Sequence, residues 1–303
     1  MKNAKTLIVL TLIAAIMTSC SARHDAISFG ETLVAGGTVT IGNDDDCARY
    51  EATVGDLYVS THEITWGTMA KIINVALGKK YVALENGKIV PRVGLFPQYY
   101  DVILEMGQNA DSLVAASDAA VACLEDAANR PASNISWYGT ALFCNVLSEV
   151  NGFAPCYDLQ TWGVVEGADG YRMPTFEEWE YAARGGSLGR GLAYAGSDDP
   201  FEVGWFAKNS GNAIHPVGLL RPNELGLYDM SGNVNEFCTE TFKPVITSAR
   251  TKGSALQTSN RIWRGGSFAS DTFGVFYYRQ NINNPEYYFP FRDVGLRTVR
   301  RAK

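Results

Sequence analysis

From Gly185 and Gly186 to its end, the chain is rich in Gly, Asn and Pro and carries only short apolar pieces. Such a stretch cannot build long helices, because Gly and Pro cost about 1 and 3 kcal/mol each in a helix interior. It predicts long loops hung on a small sheet, and loops of that length in a compact domain are usually functional. Within it, residues 268–291 hold nine Phe or Tyr among 24 positions, against 12% aromatics in the whole chain, and only Asp271, Arg279 and Glu286 carry charge. Asn281, Asn283, Asn284, Pro285 and Pro290 prevent one continuous strand there. The flanks, residues 262–268 and 294–299, read as strands. Aromatic, Ser, Gly and Asn side chains between rigid strands suit a binding surface, because rings give large contact area at small entropic cost. The competing reading is that these rings fill a core beneath a long loop.

The first half is patterned differently. Residues 32–42 read as two short strands around a Gly36-Gly37 turn, and residues 57–65 alternate as a half-buried strand. Thr65 then caps a helix over 66–77. Residues 79–93 suggest a hairpin turning at Glu85-Asn86-Gly87-Lys88, and the Ala-rich residues 110–128 a helix. A further helix is predicted over 138–150, closed by Asn151-Gly152. Thr175 with Glu178 forms a capping box for a helix over 176–184.

Residues 1–19 are a leader rather than part of the fold: Lys2 and Lys5 precede an apolar run, and Ser19-Cys20 ends it. This resembles a bacterial lipoprotein signal, which implies a lipidated Cys20, a membrane attachment through that lipid, and a polar tether over 20–30. Ordinary secretion is the alternative. A net charge of −6 argues against nucleic acid as a partner, since phosphate binding needs a basic surface. The basic tail (Arg297, Arg300, Arg301, Lys303) reads as a solvated end. Cys47, Cys123, Cys144, Cys156 and Cys238 cannot all pair with one another and show no C-x-x-C spacing, so buried free thiols are expected for most. His24, His62 and His215 have no ligand-like spacing for zinc.

Several segments, in order, resemble the formylglycine-generating-enzyme domain: Val34-Ala35-Gly36-Gly37-Thr38, His62-Glu63-Ile64-Thr65, Ile135-Ser136-Trp137, residues 171–184, residues 226–237, Arg264-Gly265-Gly266-Ser267-Phe268 and Gly295-Leu296-Arg297. The resemblance implies an α+β domain of the C-type-lectin fold over 31–303, with small mixed sheets, few helices, long loops and an insertion at about 77–129. Enzymes of that family use a cysteine pair after the Gly-Gly-Ser motif. Here residues 268–279 contain no cysteine, and neither Ser270 nor Val275 supplies a thiolate. The oxidase activity is therefore not carried over. In the same family, the Gly-Asn-Val-x-Glu segment offers hard oxygen ligands, which implies Ca²⁺ at Asn233, Val234 and Glu236. The alternative is that Asn233 and Glu236 close a turn by hydrogen bonds. No other cofactor is implied.

The chain also resembles variable proteins diversified by retroelements, some of them bacterial surface lipoproteins, in which the variable segment runs from the Arg-Gly-Gly-Ser motif to the final strand, here about 264–297. Adenine-directed diversification does not yield Lys, Glu, Gln, Met or Trp, and residues 268–279 contain none of the five. Gln280 and Glu286 would then be fixed positions. The resemblance implies a surface-displayed binder of variable ligands, proteins or other cell-surface molecules. Its contacts would be Ala269, Ser270, Asp271, Phe273, Gly274, Phe276, Asn281, Asn283, Asn284, Tyr287, Tyr288 and Phe289. Tyr278 and Arg279 would be framework, with Arg292 and Asp293 pairing at the strand entrance. A structural envelope lipoprotein of the same fold is the alternative, and an oxidase the third reading.

Overall fold

The structure is a computed structural model that describes residues 25–43, 47–85, 88–94, 104–105, 125–241, 261–272, 274, 281–283 and 292–303. The leader with Cys20 and most of the residues 110–128 predicted as a helix lie outside the described residues. Strand β1 (Glu31–Val34) leads into β2 (Gly37–Asn43), β3 (Cys47–Val54) and β4 (Leu57–Ser60). Helix α1 (Trp66–Gly78) and the hairpin β5 (Val82–Glu85) and β6 (Lys88–Pro91) follow, with a short β7 (Leu104–Glu105) on the edge of β6. Helices α2 (Glu125–Ala128), α3 (Trp137–Val150), α4 (Phe176–Ala183) and α5 (Pro200–Val203) come next. The chain ends with β8 (Asn235–Thr241), β9 (Arg261–Arg264), β10 (Asn281–Asn283), β11 (Val294–Gly295) and β12 (Val299–Arg301).

The helix starts at Thr65 and Thr175 follow the predicted chemistry, and a third cap, Ser136, starts its helix one residue before the predicted 138. The Thr65, Ser136 and Thr175 hydroxyls each accept from a first-turn backbone N–H, supplying an acceptor the helix itself lacks there. At Thr175 the Glu178 carboxylate also accepts the Thr175 N–H at 2.8 Å, completing the capping box. The hairpin closes Glu85 onto Lys88 as expected.

The strands pair less simply. β1 and β2 do not pair with each other: the chain changes sheet between them, β1 joining β4 and β12, and β2 joining β3. First and last strands thus share one sheet. The strand predicted over 57–65 stops at Ser60, and the one over 262–268 stops at Arg264, where Gly265 and Gly266 take φ of 94° and 73°. The strand predicted over 294–299 is split. β11 runs parallel to β8, while β12 runs antiparallel to β4. Gly295 is required at that split, since a Cβ would lie 2.5 Å from the Ala132 carbonyl oxygen.

Among the described residues, two large apolar cores result, with two small clusters beside them. One packs α1, α3 and the β5–β6 hairpin around Ile73, Phe143 and Leu147. The other packs α4 under β4, β8 and β9, with Trp179 at its centre. The folded domain begins earlier than residue 31: Ile27 is buried in the first core and exchanges two backbone hydrogen bonds with the Asn151 amide, at 2.8 and 2.9 Å. Cys144, Cys156 and Cys238 are buried, and burial pushes the Cys144 and Cys156 thiols up, disfavouring the thiolate.

Candidate ligand-binding face

The loop that starts at Gly265 is seated on a charged, fully buried foundation. Arg264 donates to Glu180 of α4 at 2.5 Å, both side chains having no exposure, and its guanidinium lies over the Phe176 and Trp179 rings. Glu180 also pairs with Arg184. Gly265 passes close above the Trp179 ring, where an added Cβ would come to 3.2 Å of it. Trp179 in turn donates its indole N–H to Glu236 at 2.5 Å. Arg297 grips the same carboxylate, its Nε 3.0 Å from both oxygens and its Nη2 2.8 Å from one. Arg297 is therefore part of the core and not of a solvated tail. Arg300, also assigned to that tail, pairs with Glu31 at 3.0 Å.

Above this base the loop is tied down by hydrogen bonds. Phe268 donates its N–H to the Asn233 carbonyl at 2.8 Å, and its own carbonyl accepts from Ser210 Oγ at 2.7 Å. The Ser270 carbonyl accepts from Ala207 N–H at 2.9 Å, and Tyr194 Oη donates to the Thr272 carbonyl at 3.4 Å. Ser267 Oγ donates to Asp293 at 2.9 Å. Asp293 thus holds the loop's entry, whereas the Arg292 guanidinium lies 5.5 Å from the Phe268 ring centre; the expected Arg292–Asp293 pairing gives way to these contacts.

Among the predicted contact residues, Ala269 and Asp271 are exposed. Ser270 is half-buried and works inward, its Oγ accepting the Ser267 N–H at 2.9 Å. Gly274 is half-buried and closes a turn onto the Asp271 carboxylate at 2.8 Å. Asn281 and Asn283 lie in β10, opposite Trp263 and Arg261 of β9. Phe273, Phe276, Asn284, Tyr287, Tyr288 and Phe289 lie outside the described residues. Tyr194, Ala207 and Ser210 are frame residues that pattern reading missed. They come from irregular segments, where no periodicity announces a contact. Tyr194 also borders a cleft of about 190 Å³ with Arg184, Arg190 and Glu224. Its guanidiniums are taken by Glu180 and Glu224.

The implied calcium ligands do not fit a cation. Both Glu236 oxygens face the Arg297 guanidinium, and the Asn233 amide is used at both ends: its oxygen accepts the His215 N–H at 3.0 Å and its nitrogen donates to the His215 carbonyl at 3.2 Å. Val234 is buried. Nor do Asn233 and Glu236 close a local turn as the alternative has it: their hydrogen bonds reach His215, Trp179 and Arg297 in distant segments. Excess calcium or a chelator is expected to leave the melting temperature unchanged, because only an ion bound to the folded state shifts it; a calcium-dependent rise measured by calorimetry would contradict this.

The fold and this loop define a C-type-lectin-type scaffold related to the formylglycine-generating enzymes. The chain belongs to the sulfatase-modifying factor enzyme 1-like domain family, whose model matches residues 21–302. It is 34% identical over 213 residues to "Chaperone protein LppX" of Paenibacillus barcinonensis, a match covering 56% of this chain and 70% of that protein. It is 36% identical over 117 residues to the formylglycine-generating enzyme of Streptomyces coelicolor, covering 33% of this chain and 36% of the enzyme. Among solved structures, Treponema denticola variable protein 1 superposes with a TM-score of 0.63 at 21% identity, covering 90% of this chain and 95% of that one.

Proposed function

We propose that this chain is a non-catalytic binding protein, anchored at the cell envelope through a lipid on Cys20 and displaying the segment 264–297 as a variable ligand-recognition surface. The observation that carries the reading is the contrast within the loop. Its backbone is held at Phe268, Ser270 and Thr272 by residues from other segments, while Ala269 and Asp271 point to solvent. Side chains at such positions can vary without unfolding the domain, because exposed substitutions usually change stability by within about 0.5 kcal/mol. The absence of cysteine from residues 268–279 supports a role other than thiol oxidation. The fold shared with a protein named as variable supports the display role, and a relative named as a chaperone supports a protein as ligand.

The test combines stability and binding. Peptides selected from a random phage-displayed library against the purified protein are the probe. Asp271→Lys and Ala269→Arg are expected to leave the melting temperature nearly unchanged and to weaken capture of the selected phage at least tenfold. Selected phage that bind both variants as well as the parent would place recognition elsewhere. In the encoding DNA, a near-copy of the segment differing only at adenines, beside a reverse transcriptase gene, is the expected mark of diversification.

A further inference from the structure

We propose that the cleft beside Tyr194 is a second ligand site, for a small uncharged molecule that carries a primary carboxamide on an apolar stem. Its volume is about 190 Å³, and its lining joins the apolar groups Val39, Leu192 and Tyr194 to the charged pair Arg190 and Glu224. A cavity of about 150 Å³ takes a benzene ring. One ring or a short alkyl stem with a single polar end group is therefore the size of guest that fits.

The polar end of the cleft holds a donor next to an acceptor. Arg190 uses Nε on Glu224 Oε1 at 2.7 Å and Nη2 on the Gly196 carbonyl at 3.2 Å. Those bonds fix the guanidinium plane and leave its Nη1 edge without an acceptor among the described residues. The Glu224 side chain is only 11% exposed, yet among the same residues no N–H or O–H group donates to its Oε2. A carboxylate oxygen so little exposed gains from a guest that brings a donor. Gly185 keeps that oxygen open, since a Cβ there would stand 2.6 Å from it.

Charge then selects among guests. Arg190 and Glu224 neutralise each other, and Arg184, which lines the same cleft, is paired with Glu180. A carboxylate guest accepts from Arg190 only by setting its negative charge against Glu224, and a cationic guest meets the reverse conflict with Arg190. A carboxamide meets neither. Its carbonyl accepts from the open edge of Arg190, and its NH2 donates to Glu224 Oε2. The site lies outside the 264–297 segment, and Tyr194, whose Oη donates to the Thr272 carbonyl, is the wall the two share.

Benzamide, benzoate and benzamidinium test this on the full chain, because they share one shape and differ only in the donors and acceptors of the end group. Binding is read from the backbone amide resonances of residues 186–196 as each probe is titrated. Benzamide is expected to shift them saturably, and the two ions to bind about tenfold or more weakly, as the loss of a hydrogen bond to a charged group implies. No saturable shift with benzamide, or equal binding of either ion, overturns the proposal. Glu224→Gln is expected to reverse the selection. The Arg190 Nε–H holds the Gln oxygen, so the Gln NH2 takes the place of Oε2 and an acceptor becomes a donor. Benzoate should then be the tighter guest, and an unchanged preference for benzamide overturns the role given to Glu224 and with it the proposal. Should Glu224→Gln not fold, the comparison of the three probes on the parent protein decides alone.

Discussion

Arg297→Met is expected to destabilise the protein by about 3–5 kcal/mol, the cost of leaving a buried carboxylate without its cation. Arg297 is 1% exposed and Glu236 is fully buried. Removing the guanidinium strips Glu236 of its cation, leaving the Trp179 indole N–H, and also deprives the Ser60 and Tyr228 carbonyls of their donors. Replacing both partners costs less, because no uncompensated charge remains. The double variant Glu236→Gln/Arg297→Met is therefore expected to be more stable than Arg297→Met alone. Denaturant titration of the two single variants and the double variant measures the coupling. A loss below about 1 kcal/mol for Arg297→Met would mean that the pair is solvated rather than core.

The same residue shows where the sequence was legible and where it was not. The helix starts at Thr65, Ser136 and Thr175 are local chemistry: a hydroxyl or carboxylate satisfies a nearby backbone group, and a few consecutive residues announce it. The hairpin at Glu85–Lys88 is equally local. The strand ends are not. Residues 294–299 are all buried, so neither face alternates with solvent, and the pattern cannot tell one strand from two that diverge into different sheets. The partner that makes Arg297 a core residue is Glu236, 61 residues away, and nothing near Arg297 distinguishes it from the solvated Arg and Lys of an ordinary tail. The glycines gave a partial signal. Reading Gly265-Gly266 as part of a strand hid the left-handed turn that leads into residues 267–272. The exposed positions Ala269 and Asp271 were reached through family resemblance rather than through periodicity, because a hydrogen-bonded irregular loop has none.

Trp179→Ala is the second large effect, expected to cost about 3–5 kcal/mol, the usual range for removing a buried aromatic ring. Trp179 is 1% exposed at the centre of the second core and performs three tasks at once. Its ring fills the space beneath Gly265, lies 5.2 Å from the Arg264 guanidinium, and presents its N–H to Glu236. Trp179→Phe separates these contributions. It keeps much of the ring volume and loses the donor, so its expected cost is about 1–3 kcal/mol, that of weakening a hydrogen bond to a buried charged group. Because the ring supports the backbone from which Ala269 and Asp271 project, both variants should also weaken capture by the selected phage, in the order Ala more than Phe. Asp271→Lys should weaken capture with little change in stability. Measuring melting temperature and phage capture on all three variants separates foundation from surface. If Trp179→Ala lowers stability and leaves capture intact at a temperature where the variant is folded, the loop's geometry does not depend on α4, and the recognition surface must rest on another support.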